Sequence, residues 1–335
     1  MSNGTALPKS TESAKAESAK AASAKAASPE AAAPQDVGGR EEAESAAAFE
    51  IVRPARQLTP LVLASPHSGD RYPADFLKMT KLDHATLRLS EDCYVDELVA
   101  AGPSYGVPIL KALFPRVYVD ANREAFELDP VMFEDRLPEA AITDSPRVAA
   151  GLGSIPRLAA NDREIYGRKL PFAEAEQRIA RCYRPYHQAL AALMQETRER
   201  FGGCLLIDCH SMPSMGGLSV GSGGDRELGR ARVDFVLGDC FGASCADAVT
   251  AAAETHLRKE GAHVRRNNPY SGGYVTQHYG RPTEGIHVLQ IEINRSIYMD
   301  EQSLERLPQF QETRARIERL IAMLAREAPA LIRRR

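Results

Sequence analysis

The chain has no tryptophan, no Cys-x-x-Cys pair and no apolar run near the roughly 18 residues that a membrane span needs. Each absence removes a class of protein. The six cysteines, Cys93, Cys182, Cys204, Cys209, Cys240 and Cys245, are scattered, and a chain of 335 residues does not need disulfide staples. They read as reduced thiols. The N-terminal stretch from Met1 to Pro34 lacks the apolar segment of a signal peptide, so a cytoplasmic protein is expected. A formal net charge of -3 implies neither a nucleic-acid surface nor an acidic tail, so no nucleic-acid or membrane partner is expected. Arg333-Arg334-Arg335 reads as a solvated helix end.

What is present falls into two parts. Residues 1–48 are low in complexity, with the near-repeats Ser13-Ala14-Lys15-Ala16, Ser18-Ala19-Lys20-Ala21 and Ser23-Ala24-Lys25-Ala26. Alanine favours helix, but no apolar stripe is there to bury, and burial is what offsets the entropy of ordering. A disordered tail is expected, followed by a single catalytic domain over residues 49–335. In that domain Leu61–Ala64 reads as a buried strand ended by Ser65-Pro66. His84 to Tyr105 carries helical spacing up to the stop at Gly102-Pro103. Pro108–Leu113 and Val117–Val119 read as strands, Pro171–Phe201 as a long helix, and Cys204–Ile207 as a strand ending at Asp208-Cys209-His210. Arg232–Leu237 reads as a strand, Cys245–Gly261 as a helix, His287–Ile293 as a late strand, and Glu301–Ile332 as one or two helices. Alternation of this kind predicts an α/β fold: a mostly parallel or mixed sheet with helices on both faces. Such sheets bind ligands at the carboxyl ends of their strands.

The polar clusters sit at those ends. His67 follows the first buried strand within Ser65-Pro66-His67-Ser68-Gly69-Asp70, and an imidazole with a carboxylate three residues on suits zinc. Alone, a strand-end histidine is more often a hydrogen-bonded loop residue. His210 repeats the layout, and parallel neighbouring strands would bring both imidazoles to one edge. Asp208 either caps the loop or accepts a hydrogen bond from the imidazole of His210. Glu292 interrupts an apolar strand, which is costly unless the carboxylate is paired, metal-bound or neutral. It is either a partner of Arg295 or a general base. Asn122-Arg123 suits two-pronged capture of a carboxylate, or forms a surface salt bridge. Asp92 and Asp96 share one face of the expected helix, as a solvated face or as the source of a metal ligand. The loop holding Gly272, Gly273 and Tyr274 could cradle a ligand or be a plain turn; it lacks the Lys-Ser/Thr ending of a nucleotide loop.

Taken in order, SPHSGDRYP (65–73), DCYVDEL (92–98), FPRVYVDANR (114–123), GLGSIPR (151–157), IDCHSMPS (207–214), NPYSGGYVTQHYG (268–280) and QIEINRSIYM (290–299) resemble the N-formylglutamate amidohydrolase family. The resemblance covers about Leu61 to Met299. It implies a fold similar to that of the zinc carboxypeptidases and one zinc ion, with another divalent metal as the alternative. It places His67, Asp70 and His210 as metal ligands and Glu292 as base. Asn122, Arg123, Gly272, Gly273, Tyr274 and Arg295 are implied around a small-molecule N-acyl amino acid. Asp70 departs from the glutamate usual at its position in the carboxypeptidase motif and is one methylene shorter, so Asp92 stands as the substitute ligand. The expected reaction is hydrolysis of an N-acyl amino acid, N-formylglutamate first. Another N-acyl amino acid, a small peptide, or a non-catalytic binding module on the same fold are the alternatives.

Overall fold

The computed structural model describes residues 47–214 and 233–333. The expected tail lies outside them except for Ala47 and Ala48, as do Arg232, Arg334 and Arg335. Ala48 is buried, and its carbonyl accepts a hydrogen bond from the Leu113 amide.

Among the described residues, nine strands form two sheets: β1 (Phe49–Val52), β2 (Leu61–Ser65), β3 (Ile109–Ala112), β4 (Leu158–Ala159), β5 (Arg163–Glu164), β6 (Cys204–Met212), β7 (Phe235–Gly238), β8 (Val264–Arg266) and β9 (Ile286–Asn294). Seven of them make the main sheet, in the order β1-β3-β2-β6-β9-β7-β8, and β4 and β5 pair separately. The central run β3-β2-β6-β9 is parallel, whereas β1 and β7 join antiparallel, so the sheet is mixed. Pleating sends successive side chains to opposite faces. Leu61 and Leu63 accordingly enter one core with the helices 247–259 and 310–331, and Val62 and Ala64 enter another with the helices 172–178 and 184–201. Burial of β2 on both faces is why its sequence is a continuous apolar run.

Four expected elements differ. The helix expected over 84–105 is broken into helices His84–Arg88 and Val95–Leu98 and a 3-10 turn Gly102–Tyr105, with Tyr94 between the first two at φ 66°. Val117–Val119 is a turn rather than a strand, fixed by Tyr118 and Val119 amides that donate to Pro115. β6 does not stop before Asp208; it runs on to Met212 because β9 pairs with it over its whole length. The long helix expected over 171–201 is interrupted by a π-helical turn at Ile179–Tyr183 and ends at Gly202, whose φ of 77° suits glycine. The C-terminal segment expected as one or two helices is a single helix, Phe310–Leu331. No helix among the described residues is long and apolar enough to cross a membrane.

Candidate metal centre

Strand order brings the candidates together. His67 lies two residues beyond β2, His210 lies on β6 beside it, and Glu292 on β9 is the register partner of His210. All three are buried. Asp92 arrives from the break after helix 84–88, where its amide donates to the His67 carbonyl at 3.0 Å. Its carboxylate Oδ2 lies 3.1 Å from His210 Nδ1 and 3.4 Å from His67 Nδ1, and the two Nδ1 atoms are 3.1 Å apart.

The tautomers follow from the outer nitrogens. His67 Nε2 lies 2.7 Å from Asp120 Oδ1, and His210 Nε2 lies 2.9 Å from Asp208 Oδ2. A carboxylate only accepts, so each Nε2 carries the proton and donates it. Both Nδ1 lone pairs then point inward at one another and at Asp92. Neutral imidazoles so disposed repel unless something positive sits between them. Zinc–nitrogen and zinc–oxygen bonds of about 2.0–2.1 Å in a tetrahedron set neighbouring ligand atoms about 3.3 Å apart, close to the three separations found. The donor set therefore fits a metal ion held by His67, Asp92 and His210. A proton competes with a metal ion for the same inward nitrogens. Although burial opposes the charge, Asp208 and Asp92 hold His210 well above the ordinary histidine range. Burial alone would raise Asp92, but His210 and His67, when they carry that proton, and the charge of Arg116 hold it well below the usual carboxylate range.

Asp70, the other expected ligand, is exposed and stands apart from this group. A Cβ on Gly69 would lie 2.3 Å from the Phe114 carbonyl oxygen. The loop after His67 therefore runs hard against the end of β3 and turns Asp70 outward. Asp96, four residues beyond Asp92, points instead to Lys111 at 3.8 Å.

Glu292 is not the partner of Arg295. The Arg295 guanidinium is engaged elsewhere: NH2 donates to Asp92 Oδ1 at 3.1 Å, Nε to Ser211 Oγ and NH1 to the Leu89 carbonyl. Arg295 braces Asp92 and also lines the cavity beside it. Glu292 accepts a hydrogen bond from Gln290 Nε2 at 2.8 Å, and burial pushes its carboxyl up to about 7. It faces a cavity of about 530 Å³ that also exposes both histidines and Asp92.

Of the expected substrate contacts, Arg123, Gly272, Gly273 and Arg295 line this cavity. Asn122 lines it too, but its amide is already committed: Oδ1 accepts from the Val275 amide at 2.8 Å, which turns Nδ2 toward Asp208 and His210. Tyr274 turns away and stacks on His278 at 4.7 Å; Tyr270 lines the cavity in its place. Two contributors escaped the sequence reading as site residues, Asp120 and Arg116. They stand in the FPRVYVDANR motif, and Arg116 NH2 donates to Asp120 Oδ2 at 2.8 Å. Their place is visible only once the turn after β3 is known to fold under His67.

The sequence also spells Gly217-Leu218-Ser219-Val220-Gly221, the string that serine hydrolases carry at a strained nucleophile turn. It lies outside the described residues.

Comparison with known proteins supplies the context. The family model for N-formylglutamate amidohydrolase matches residues 59–299. The N-formylglutamate deformylase of Pseudomonas aeruginosa is 30% identical over 282 residues, covering 82% of this chain and 96% of that protein. The enzyme of the same name from Pseudomonas putida is 30% identical over 248 residues, covering 72% of this chain and 82% of its own. The crystal structure of N-formylglutamate amidohydrolase from Ralstonia eutropha JMP134 superposes with a TM-score of 0.77 at 37% identity, covering 83% of this chain and 97% of that one.

Proposed function

The chain belongs to the N-formylglutamate amidohydrolase family, and we propose that it is a zinc-dependent hydrolase that splits N-formyl-L-glutamate into formate and glutamate. The observation that carries this reading is the convergence of the His67 and His210 Nδ1 lone pairs on the Asp92 carboxylate, directly beside a buried Glu292 that has no ion-pair partner among the described residues. A zinc ion held by those three residues would act as a Lewis acid toward a carbonyl oxygen and make water more acidic. Glu292 then serves as general base. It takes a proton from the attacking water and returns it to the amine as the carbon–nitrogen bond breaks. A carboxyl poised near 7 suits both duties, because it is readily charged and readily protonated. Asp120 and Asp208 hold the imidazoles in the tautomer that presents Nδ1, and Arg295 and Arg116 fix Asp92. Arg123 takes a substrate carboxylate. Its guanidinium reaches the cavity with its NH2 group 3.9 Å from its nearest acid, Asp120.

Metal analysis of the purified protein, with turnover of N-formylglutamate before and after chelation, tests the reading. We expect about one zinc per chain, loss of activity on chelation and recovery on adding zinc. Full activity in metal-free protein would refute it and turn attention to Ser219.

A further inference from the structure

The arginines around the cavity differ in how far they are already satisfied. Arg116 and Arg295 are held at 2.8 and 3.1 Å by the carboxylates that build the metal centre. Arg123 donates Nε and NH1 to the carbonyls of Leu152 and Asn122, which leaves NH2 loosely matched. Arg147, on the short helix 146–149, lines the same cavity. Its guanidinium stands 3.7 Å from Glu127 Oε2, too far for a hydrogen bond, and Oε2 itself is buried with no hydrogen-bond partner among the described residues. Arg147 is thus steered toward the cavity by a carboxylate that does not bind it tightly. Two guanidiniums with unspent donors in one cavity ask for a ligand with two anionic groups.

We infer that Arg147 and Arg123 form a two-carboxylate clamp, in which Arg147 reads the acidic side chain and so restricts the site to N-acyl derivatives of dicarboxylic amino acids. This rests on the amide-hydrolase reading above. The division of labour follows from distance to the centre. Arg123 adjoins Asn122, whose amide lies 3.1 Å from His210, so it meets the carboxylate next to the scissile nitrogen, which every amino acid carries. Arg147 sits farther out with a side chain 32% exposed, where a carboxylate several bonds away would arrive. Its charge is also one of those that, after burial, lower the pKa of Arg123, and a dianion between them removes that repulsion.

The test compares N-formylglutamate with N-formylglutamine, which differ only in the side-chain charge, in the wild-type holoenzyme and in Arg147→Gln. Wild type should prefer the dianion by about 10- to 100-fold in kcat/KM, the worth of one charged hydrogen bond. Arg147→Gln should lose most of that preference through KM, with a several-fold smaller loss on N-formylglutamine, while Arg123→Gln should damage both substrates alike. No preference in wild type, or equal losses in Arg147→Gln, would overturn the clamp. Calorimetric binding of both compounds to Glu292→Gln keeps the two readings apart. Selective binding without turnover in wild type would sink the hydrolase and leave the clamp standing. Arg147→Lys, which keeps the charge, guards against a folding defect in the glutamine variant and should retain part of the preference.

Discussion

Replacing Asp208 by asparagine removes one negative charge and almost nothing of the side chain's shape. In the wild type Oδ2 accepts from His210 Nε2 at 2.9 Å and from Asn122 Nδ2 at 3.5 Å, while Oδ1 is buried without a partner among the described residues. Both contacts need an acceptor at Oδ2, so the amide oxygen takes that place and the NH2 group falls where Oδ1 was. His210 then keeps its tautomer, but its hydrogen bond loses the charge assistance that roughly doubles such bonds. The new donor finds no acceptor and costs about 1–3 kcal/mol. Loss of a carboxylate behind a ligating histidine weakens metal affinity by about 10- to 100-fold, or about 1.4–2.7 kcal/mol. Competition with a chromophoric chelator, titrated into metal-free wild type and variant, measures that ratio directly, and circular dichroism checks the fold. An affinity within twofold of wild type in a folded variant would refute the argument that Asp208 tunes a metal ligand.

Glu292→Gln should keep metal and fold, because the cation beside it is already paired with Asp92, yet turn over about 100- to 10,000-fold more slowly; near-normal single-turnover rates would leave the base unassigned. Gly273→Ala should cut turnover by about 10- to 100-fold without changing metal content. The new Cβ would sit 2.3–2.5 Å from the Asn122 amide, whereas the backbone there, at φ -106°, suits alanine, so unaltered kinetics would show that Asn122 moves freely. His187 bridges the Tyr279 hydroxyl and the Ala121 carbonyl, and burial lowers its pKa from 6.5 to about 4. The unfolded chain therefore takes up a proton below about 6.5 that the folded chain refuses until about 4. That contribution, about 3 kcal/mol in full, is present at neutral pH and lost as the pH falls through this window. Denaturant unfolding of wild type and His187→Gln at pH 7 and pH 4.5 should show a smaller pH loss in the variant; equal losses would dismiss the histidine as the cause.

The two histidines were legible because each sits at the end of an apolar run, and a buried strand must emerge from the core at its carboxyl end. β2 and β6 being parallel neighbours did the rest. Glu292 was legible as an anomaly, a carboxylate among Ile291 and Ile293, though not as a base rather than an ion-pair partner. Arg295 follows three positions later, and only the structure shows that the strand ends at Asn294 and sends the guanidinium to Asp92. Asn122 and Arg123 were read as a pair with one task. They part because the Val275 amide claims the first and leaves the second facing the cavity.

The choice between Asp70 and Asp92 shows where local reasoning stops. Spacing favours Asp70, three residues from His67, and the helical pattern over 84–105 gives Asp92 no reason to leave a regular helix. Both expectations fail for the same cause, which is contact with distant chain. Gly69 is pressed onto the Phe114 carbonyl, so the loop after His67 cannot fold Asp70 back toward the imidazole. The helix breaks where Tyr94 adopts φ 66° and donates its hydroxyl to the Leu304 carbonyl, 210 residues away in sequence, while the Asp92 amide donates to the His67 carbonyl. A left-handed conformation at a tyrosine costs of order 1–3 kcal/mol, more than the difference in helix propensity among these side chains, and it persists because those long-range bonds over-determine it. The break is thus the device that carries a carboxylate to the metal centre: were residues 84–98 one continuous helix, the Asp92 amide would be held within it and could not reach the His67 carbonyl.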